Sequence, residues 1–315
     1  IFIFVNQLML YQMNKTIVLT IVGALFFYEG TRAQQFVVDG IKYNVTSVEN
    51  RKVEVVGGYK YYRGDIVIPS NVEYDDVSYR VTSVGNDAFF FCNEMTSVVI
   101  PNSVTVIGDR AFAYCWNAGD IQVPDNVVSI GEEAFLVCSG IRNITIPASV
   151  TSIGENAFAI FSENDPDVNT YYIATVNWNS NLDFSSIAGS FLGESNRVRD
   201  INVRQLVIGG NVTRFSFYDY SYDVHINYLK TIESITVDAQ NPVFDNRNDC
   251  NAIINTSQNK LVAGLSNTVI PDDVTAIGEC AFLNCDAITS IAIPSSLTTI
   301  GYSAFEGCDN LSSIE

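Results

Sequence analysis

A short unit recurs along this chain at a fixed interval, and no other feature restricts its fold as tightly. Residues 98–115 read VVIPNSVTVIGDRAFAYC, 121–138 read IQVPDNVVSIGEEAFLVC and 144–161 read ITIPASVTSIGENAFAIF, evenly spaced along the chain. The unit returns as TVIPDDVTAIGECAFLNC at 268–285 and, at the same interval, as IAIPSSLTTIGYSAFEGC at 291–308. A period this short marks stacked coils, in which each unit buries its apolar side only against its neighbours.

The chemistry of one unit predicts its shape. Val98 and Ile100 alternate with Val99, so in an extended strand the first two share a face and Val99 points the other way. Pro101 has no N–H for a ladder and ends the strand. Val104 and Ile107 form the next inward pair, around an outward Thr105. A glycine follows in every clear copy (Gly85, Gly108, Gly131, Gly154, Gly278, Gly301), which requires either positive φ or a close backbone approach. An acidic turn then leads to Ala-Phe, with the ring expected to fill the coil and stack on the ring of the next. Stacked strands of successive coils would pair in parallel about 4.8 Å apart.

The pattern I-x-I-P…V-T-x-I-G-x-x-A-F-x-x-C at this period resembles the BspA-type leucine-rich repeats of bacterial surface proteins. The expected fold is an α/β repeat solenoid of the leucine-rich-repeat type, dominated by short parallel β-strands. The resemblance, with degenerate copies, covers 66–315. Residues 34–65 alternate apolar and polar and carry Asp39-Gly40 and Gly57-Gly58, which predict antiparallel hairpins. They resemble the N-terminal β cap of the family, and a first coil needs such a cover for its core. The spacing from Pro69 to Pro101 is nine residues too long, and the excess is placed near Glu73–Tyr79. Residues 162–270 are irregular but kept within the solenoid: Gly209 takes the Pro slot, midway between Pro147 and Pro271. Each interval is expected to hold two enlarged coils, with extra strands at 175–179 and 234–238. DNRNDCNAII at 245–254 resembles a segment recurrent in the family's long repeats. The closing LSSIE reads as the start of another strand, as in a chain truncated at its C-terminus.

Residues 1–33 read as upstream residues and a signal peptide. Lys15 precedes an apolar run at 16–28, and TRA at 31–33 offers a cleavage site near Ala33. The run is shorter than the ~20 residues of a spanning helix, which weighs against an anchor. The whole chain carries a formal charge of −18. Such a surface repels nucleic acid and anionic lipid, and no stretch after the leader is long and apolar enough to span a membrane, so neither nucleic-acid binding nor membrane insertion of the mature chain is expected.

Of the seven cysteines, Cys92, Cys115, Cys138, Cys285 and Cys308 share one slot of the unit. Disulfides or a metal ladder are open readings. Core filling is favoured, because Phe161 takes the same slot in one copy. Cys250 and Cys280 lie elsewhere. His225 is the single histidine and sits among tyrosines and aspartates without a nucleophile pattern. Asp219 and Asp223 as a glycosidase pair, and Asp245, Asn248 and Asp249 as calcium ligands, are weaker readings than solvated loops. No metal, cofactor or catalytic residue is expected. The candidate protein-binding residues are Val99, Gln122 and Thr145 on the outward strand face, and Phe217, Tyr218, Tyr220 and Tyr222 in the aromatic insertion. Their ordinary alternatives are β-propensity at exposed positions and a small local core.

By this reading the chain is no enzyme. The resemblance implies a secreted or cell-surface protein, an adhesin-like binder of host or neighbouring-cell proteins. The alternative is a carbohydrate-binding surface protein of a glycan-scavenging system.

Overall fold

The computed structural model describes residues 34–159, 172–182, 202–215 and 232–315. The described residues open with a meander. β1 (Gln35–Val38), β2 (Ile41–Ser47) and β3 (Lys52–Val56) pair antiparallel in sequence. The first turn is Asp39-Gly40, both with positive φ, as a two-residue hairpin of matching twist requires. The second expected turn falls elsewhere. Val48–Arg51 closes it, with the Arg51 N–H donating to the Val48 carbonyl at 3.2 Å. Gly57 serves close approach instead: a Cβ there would lie 2.1 Å from the Ala88 carbonyl oxygen.

β3 then pairs in parallel with β6 (Val77–Val84), and from there the chain winds in coils. Each coil has three sides. On the first, β4 (Gly64–Val67) pairs in parallel with β7 (Met95–Val99), in register Ile66↔Val98 and Val67↔Val99. The same side continues through Asn143–Ile146, Tyr172–Trp178, Asn202–Ile208 and Ser234–Val237, in register Ile144↔Val176↔Leu206↔Ile235. Gly209 follows Ile208 as Pro147 follows Ile146, so it occupies the proline slot. Having an N–H, it donates to the Trp178 carbonyl at 2.8 Å. On the second side, two-residue strands stack as Val84↔Ile107↔Ile130↔Ile153 and, later, Leu261↔Ile277↔Ile300. The third side is a ladder of turns. The N–H groups of Phe89, Phe112 and Phe135 each donate to the alanine carbonyl one coil on, at 2.7 Å. No α-helix occurs among the described residues.

The rings of Phe89, Phe112, Phe135 and Phe158 fill the centre as a stack. Their centroids are 4.9, 5.3 and 5.1 Å apart and their planes within 8° of parallel. Tyr62 extends the stack towards the meander, 4.6 Å from Phe89. Phe282 and Phe305 repeat it at 5.0 Å. The repeat glycines do not have positive φ, which settles their role as close approach. A Cβ on Gly131 would lie 2.5 Å from the Asp109 nitrogen, and on Gly154 2.3 Å from the Glu132 nitrogen. Positive φ falls instead on non-glycine residues, twice per coil: Asp87 and Phe91, Arg110 and Tyr114, Glu133 and Val137.

Among the described residues two insertions depart from the regular coil. The nine-residue excess is a hairpin, β5 (Asn71–Tyr74) against β6, turned by Asp75-Asp76 with both φ positive. The second is the hairpin Ala252–Asn255/Lys260–Gly264. Its residues divide between two clusters of buried side chains. Ile253, Ala263 and Leu265 join the one built from residue 36 onward, and Ala252, Ile254 and Leu261 join the one reaching Cys308. Here the first-side ladder passes through side chains. Asn251 Oδ1 accepts from the Ile235 N–H at 2.7 Å and Asn246 Oδ1 from the Val237 N–H at 3.2 Å. The DNRNDCNAII segment therefore fills a break between strands.

Candidate binding surfaces

The outward strand face carries the side chains that alternation assigns to it. Val67 and Val99 are 65% and 56% exposed, and Gln122 is exposed in the next coil. Thr145, Val207 and Thr236 are half-buried and stand in one register with Asn177. Asn177 belongs to this row although the sequence reading does not include it. Its Nδ2 donates to Thr145 Oγ1 at 3.3 Å. The alternation of Val176 and Trp178, both fully buried, is the signal that places it. The carboxylates bordering the face are already engaged. Asp65 Oδ1 accepts from the Thr96 and Ser97 hydroxyls at 2.7 Å each, and these bonds hold its pKa below the ordinary value. Asp120 is partly desolvated, which works to raise its pKa. Hydrogen bonds from Asn143 and from the Arg142 and Asn143 backbone outweigh that and leave it lowered. Phe217, Tyr218, Tyr220, Tyr222 and His225, like Asp219 and Asp223, lie outside the described residues.

An aromatic cluster stands on the turn side of the first coils, at positions the sequence reading does not single out. Phe91 stacks on Tyr114 with centroids 4.4 Å apart and meets Trp116 edge-on at 6.0 Å. Phe90 meets Tyr114 edge-on at 5.9 Å, and Tyr59 lies 5.3 Å from Phe91. Tyr59, Tyr61 and Trp116 are 63%, 47% and 41% exposed. The turn ladder positions them: Lys60 N–H donates to the Phe90 carbonyl at 3.1 Å, and Tyr114 N–H to the Leu136 carbonyl at 2.7 Å. Phe91 and Tyr114 hold the left-handed conformation, which is costly for bulky side chains. Asn284 and Gly307 occupy the same slot in later coils, where that conformation is easier. The legible signal is the run FFFC at 89–92 with YKYY at 59–62 and AYCW at 113–116.

The cysteine slot is occupied by packing. All seven cysteines are buried and unpaired. The thiols of Cys115, Cys138 and Cys308 each donate to the carbonyl of the phenylalanine 26 residues earlier, at 3.0, 2.9 and 3.0 Å. Burial pushes the Cys138 and Cys285 thiols up to about 12. Asp245, the first of the candidate calcium ligands, is bound by Arg247 through both oxygens, at 2.8 and 2.7 Å, and by the Thr256 hydroxyl at 2.8 Å. Among the described residues no group of three or more acidic, histidine or cysteine side chains is arranged to hold a metal.

Parallel strand ladders, a turn ladder and a central phenylalanine stack together define a leucine-rich-repeat solenoid. The BspA type leucine rich repeat region matches residues 69–164 and 252–315 in six copies, just over half of the chain, and the chain belongs to that family. The crystal structure of the pneumococcal vaccine antigen PcpA is similar with a TM-score of 0.54 at 17% identity, covering 90% of this chain and 70% of that one, which shows the fold. A leucine rich cell surface protein from Faecalibacterium prausnitzii A2-165 aligns with a TM-score of 0.48 at 24% identity, over 90% of this chain and 77% of that one. No curated protein matches the chain. Among the described residues no helix is long and apolar enough to cross a membrane.

Proposed function

We propose that this chain is a secreted or cell-surface protein that binds a protein partner, in adhesion to host or neighbouring cells, and carries no catalysis. One observation carries the reading: the terrace of exposed Tyr59 and Trp116 with half-buried Phe91 and Tyr114 on the coil ladder, with exposed Tyr61 two residues from Tyr59. Large aromatic side chains with polar tips supply contact area at low entropic cost and dominate interface energetics. The net charge of −18 favours a partner with a basic face. The face of Val67, Val99 and Gln122 is the second candidate for contact, and Phe217, Tyr218, Tyr220 and Tyr222 stay candidates from sequence. In the proposed organisation a leader at 1–33 precedes a β cap at 34–65 and a solenoid at 66–315, with the meander covering the first coil. The alternative of a glycan ligand is set against the protein reading by the test.

The test is binding of the secreted chain to immobilised extracellular-matrix proteins and to a glycan array. Variants Tyr59→Ser, Tyr61→Ser and Trp116→Ser are then combined, with the fold checked by circular dichroism. A protein ligand lost by tenfold or more in the triple variant is the expected result, since an interface hot spot is worth about 2 kcal/mol or more. Full binding by the triple variant moves the site to the strand face or the aromatic insertion. Binding confined to the glycan array overturns the protein reading.

A further inference from the structure

A recess of about 430 Å³ opens on the second side of the coils and shares no lining residue with the aromatic terrace. Lys52, Arg80, Ser83, Asn102, Ser103 and Asn126 line it. Lys52 and Arg80 are paired in register across β3 and β6, so two cations sit side by side. Neither makes an ion pair or a side-chain hydrogen bond with any described residue. Their guanidinium and ammonium groups are therefore open to an external anion. Adjacent like charges repel and gain from an anion held between them. The carboxylate next in the pairing, Glu54 opposite Ser83, is occupied: its Oε1 accepts from Asn44 Nδ2 at 2.7 Å.

The floor of the recess holds a second, independent sign. Ser103 is 5% exposed and its Oγ is buried without a hydrogen-bond partner. The serine of the same slot in other coils is satisfied. Ser149 Oγ donates to the Val127 carbonyl and Ser296 Oγ to the Val274 carbonyl, each at 2.6 Å and 22 residues back. For Ser103 the matching residue is Val81, which lies in β6, the strand that carries the β5–β6 hairpin. An unsatisfied buried hydroxyl is costly unless a ligand or water meets it. The Asn102 side-chain amide has no partner among the described residues. Asn126 uses only its Nδ2, donating to the Asn102 carbonyl at 2.8 Å, so its Oδ1 remains free. Cations at one end and neutral hydroxyls and amides over the rest match a polyol bearing one acidic group. With Val106 the one large apolar side chain of the lining and no aromatic ring, the recess offers no platform for a nucleobase or an aromatic peptide side chain.

We propose that this recess binds a sugar acid, its carboxylate against Lys52 and Arg80 and its hydroxyls against Ser83, Asn102, Ser103 and Asn126. The site is separate from the terrace and does not rest on it.

The test is calorimetric titration of the full chain with glucuronate- and sialic-acid-terminated oligosaccharides, beside their neutral counterparts and inorganic sulfate. The expected result is saturable binding of an acidic saccharide at least tenfold tighter than its neutral counterpart or sulfate. Lys52→Gln with Arg80→Gln should weaken it tenfold or more, and Ser103→Ala severalfold. Both cations are exposed, so circular dichroism should be unchanged. Tyr59→Ser with Trp116→Ser should leave saccharide affinity intact, which keeps this outcome distinct from that of the protein-binding test. Absence of saccharide binding, equal affinity for acidic and neutral forms, sulfate binding as tight as the sugar, or full affinity in the Lys52/Arg80 double variant would each overturn the proposal.

Discussion

Phe135→Ala removes one ring from the middle of the central stack, and the structure sets how much this should cost. The ring is 2% exposed and lies 5.3 Å from Phe112 and 5.1 Å from Phe158, nearly parallel to both. A buried Phe→Ala change costs about 3–5 kcal/mol, the range reflecting how far the site can collapse. Collapse is restricted here. The backbone on either side is pinned by bonds from Phe112 to Ala134 and from Phe135 to Ala157, both at 2.7 Å. Ala134 and Ala157 are themselves fully buried, which leaves no larger side chain to swing in. The upper half of the range is therefore expected, including two lost ring contacts of about 0.5–1.5 kcal/mol each. Phe305→Ala is the internal control. Its ring is half-buried and stacks on Phe282 alone among the described residues, so about half the loss is expected. Urea melts give the free energies. Because coils couple to nearest neighbours, hydrogen exchange should show lost protection first at the Phe112 and Phe135 amides. A loss under about 1 kcal/mol, or equal losses at the two positions, would refute the claim that the stack is the rigid core.

Three further outcomes follow from the coil geometry. Gly131→Ala, whose Cβ would meet the Asp109 nitrogen at 2.5 Å, should destabilise by about 1–3 kcal/mol through overpacking. Gly40→Ala, with open space but positive φ, should act only through backbone strain, and equal urea midpoints for Gly131→Ala and wild type would contradict the close-approach role. Cys138 and Cys285, raised to about 12 by burial, and Tyr43, raised to about 12 by burial and Asp39, bind their protons more tightly folded than unfolded, so their contribution is complete below the ordinary thiol value of about 8.5 and declines between there and about pH 12. Urea midpoints should fall across that window and native thiols should resist Ellman's reagent at about pH 8, while a flat profile or fast native labelling would show accessible thiols. Arg247→Ala should cost about 1–3 kcal/mol, because it strands Asp245 beside Asp273, two carboxylates that the half-buried arginine bridges; an unchanged melt would mean the bridge is solvent-screened.

The sequence by itself determined the coil. Val98, Ile100, Val104, Ile107 and Phe112 point inward by alternation and spacing, and all five are buried. Gly209 falls in the proline slot across an irregular stretch, and the strand register puts it there. These assignments need only the local rule of a repeat, since each position meets its own image one coil away. What the tertiary structure decided are the places where a coil meets something other than its image. Gly57 is indistinguishable from a hairpin glycine until Ala88 is seen against it. Phe91 and Tyr114 come from successive coils and Tyr59 from the segment between β3 and β4, and only the turn ladder gathers them into one surface. Ser103 looks like Ser149 in sequence and differs in that the coil before it carries the β5–β6 hairpin. A periodic sequence specifies neighbours one period apart, whereas surfaces and unmet polar groups arise where that period is broken.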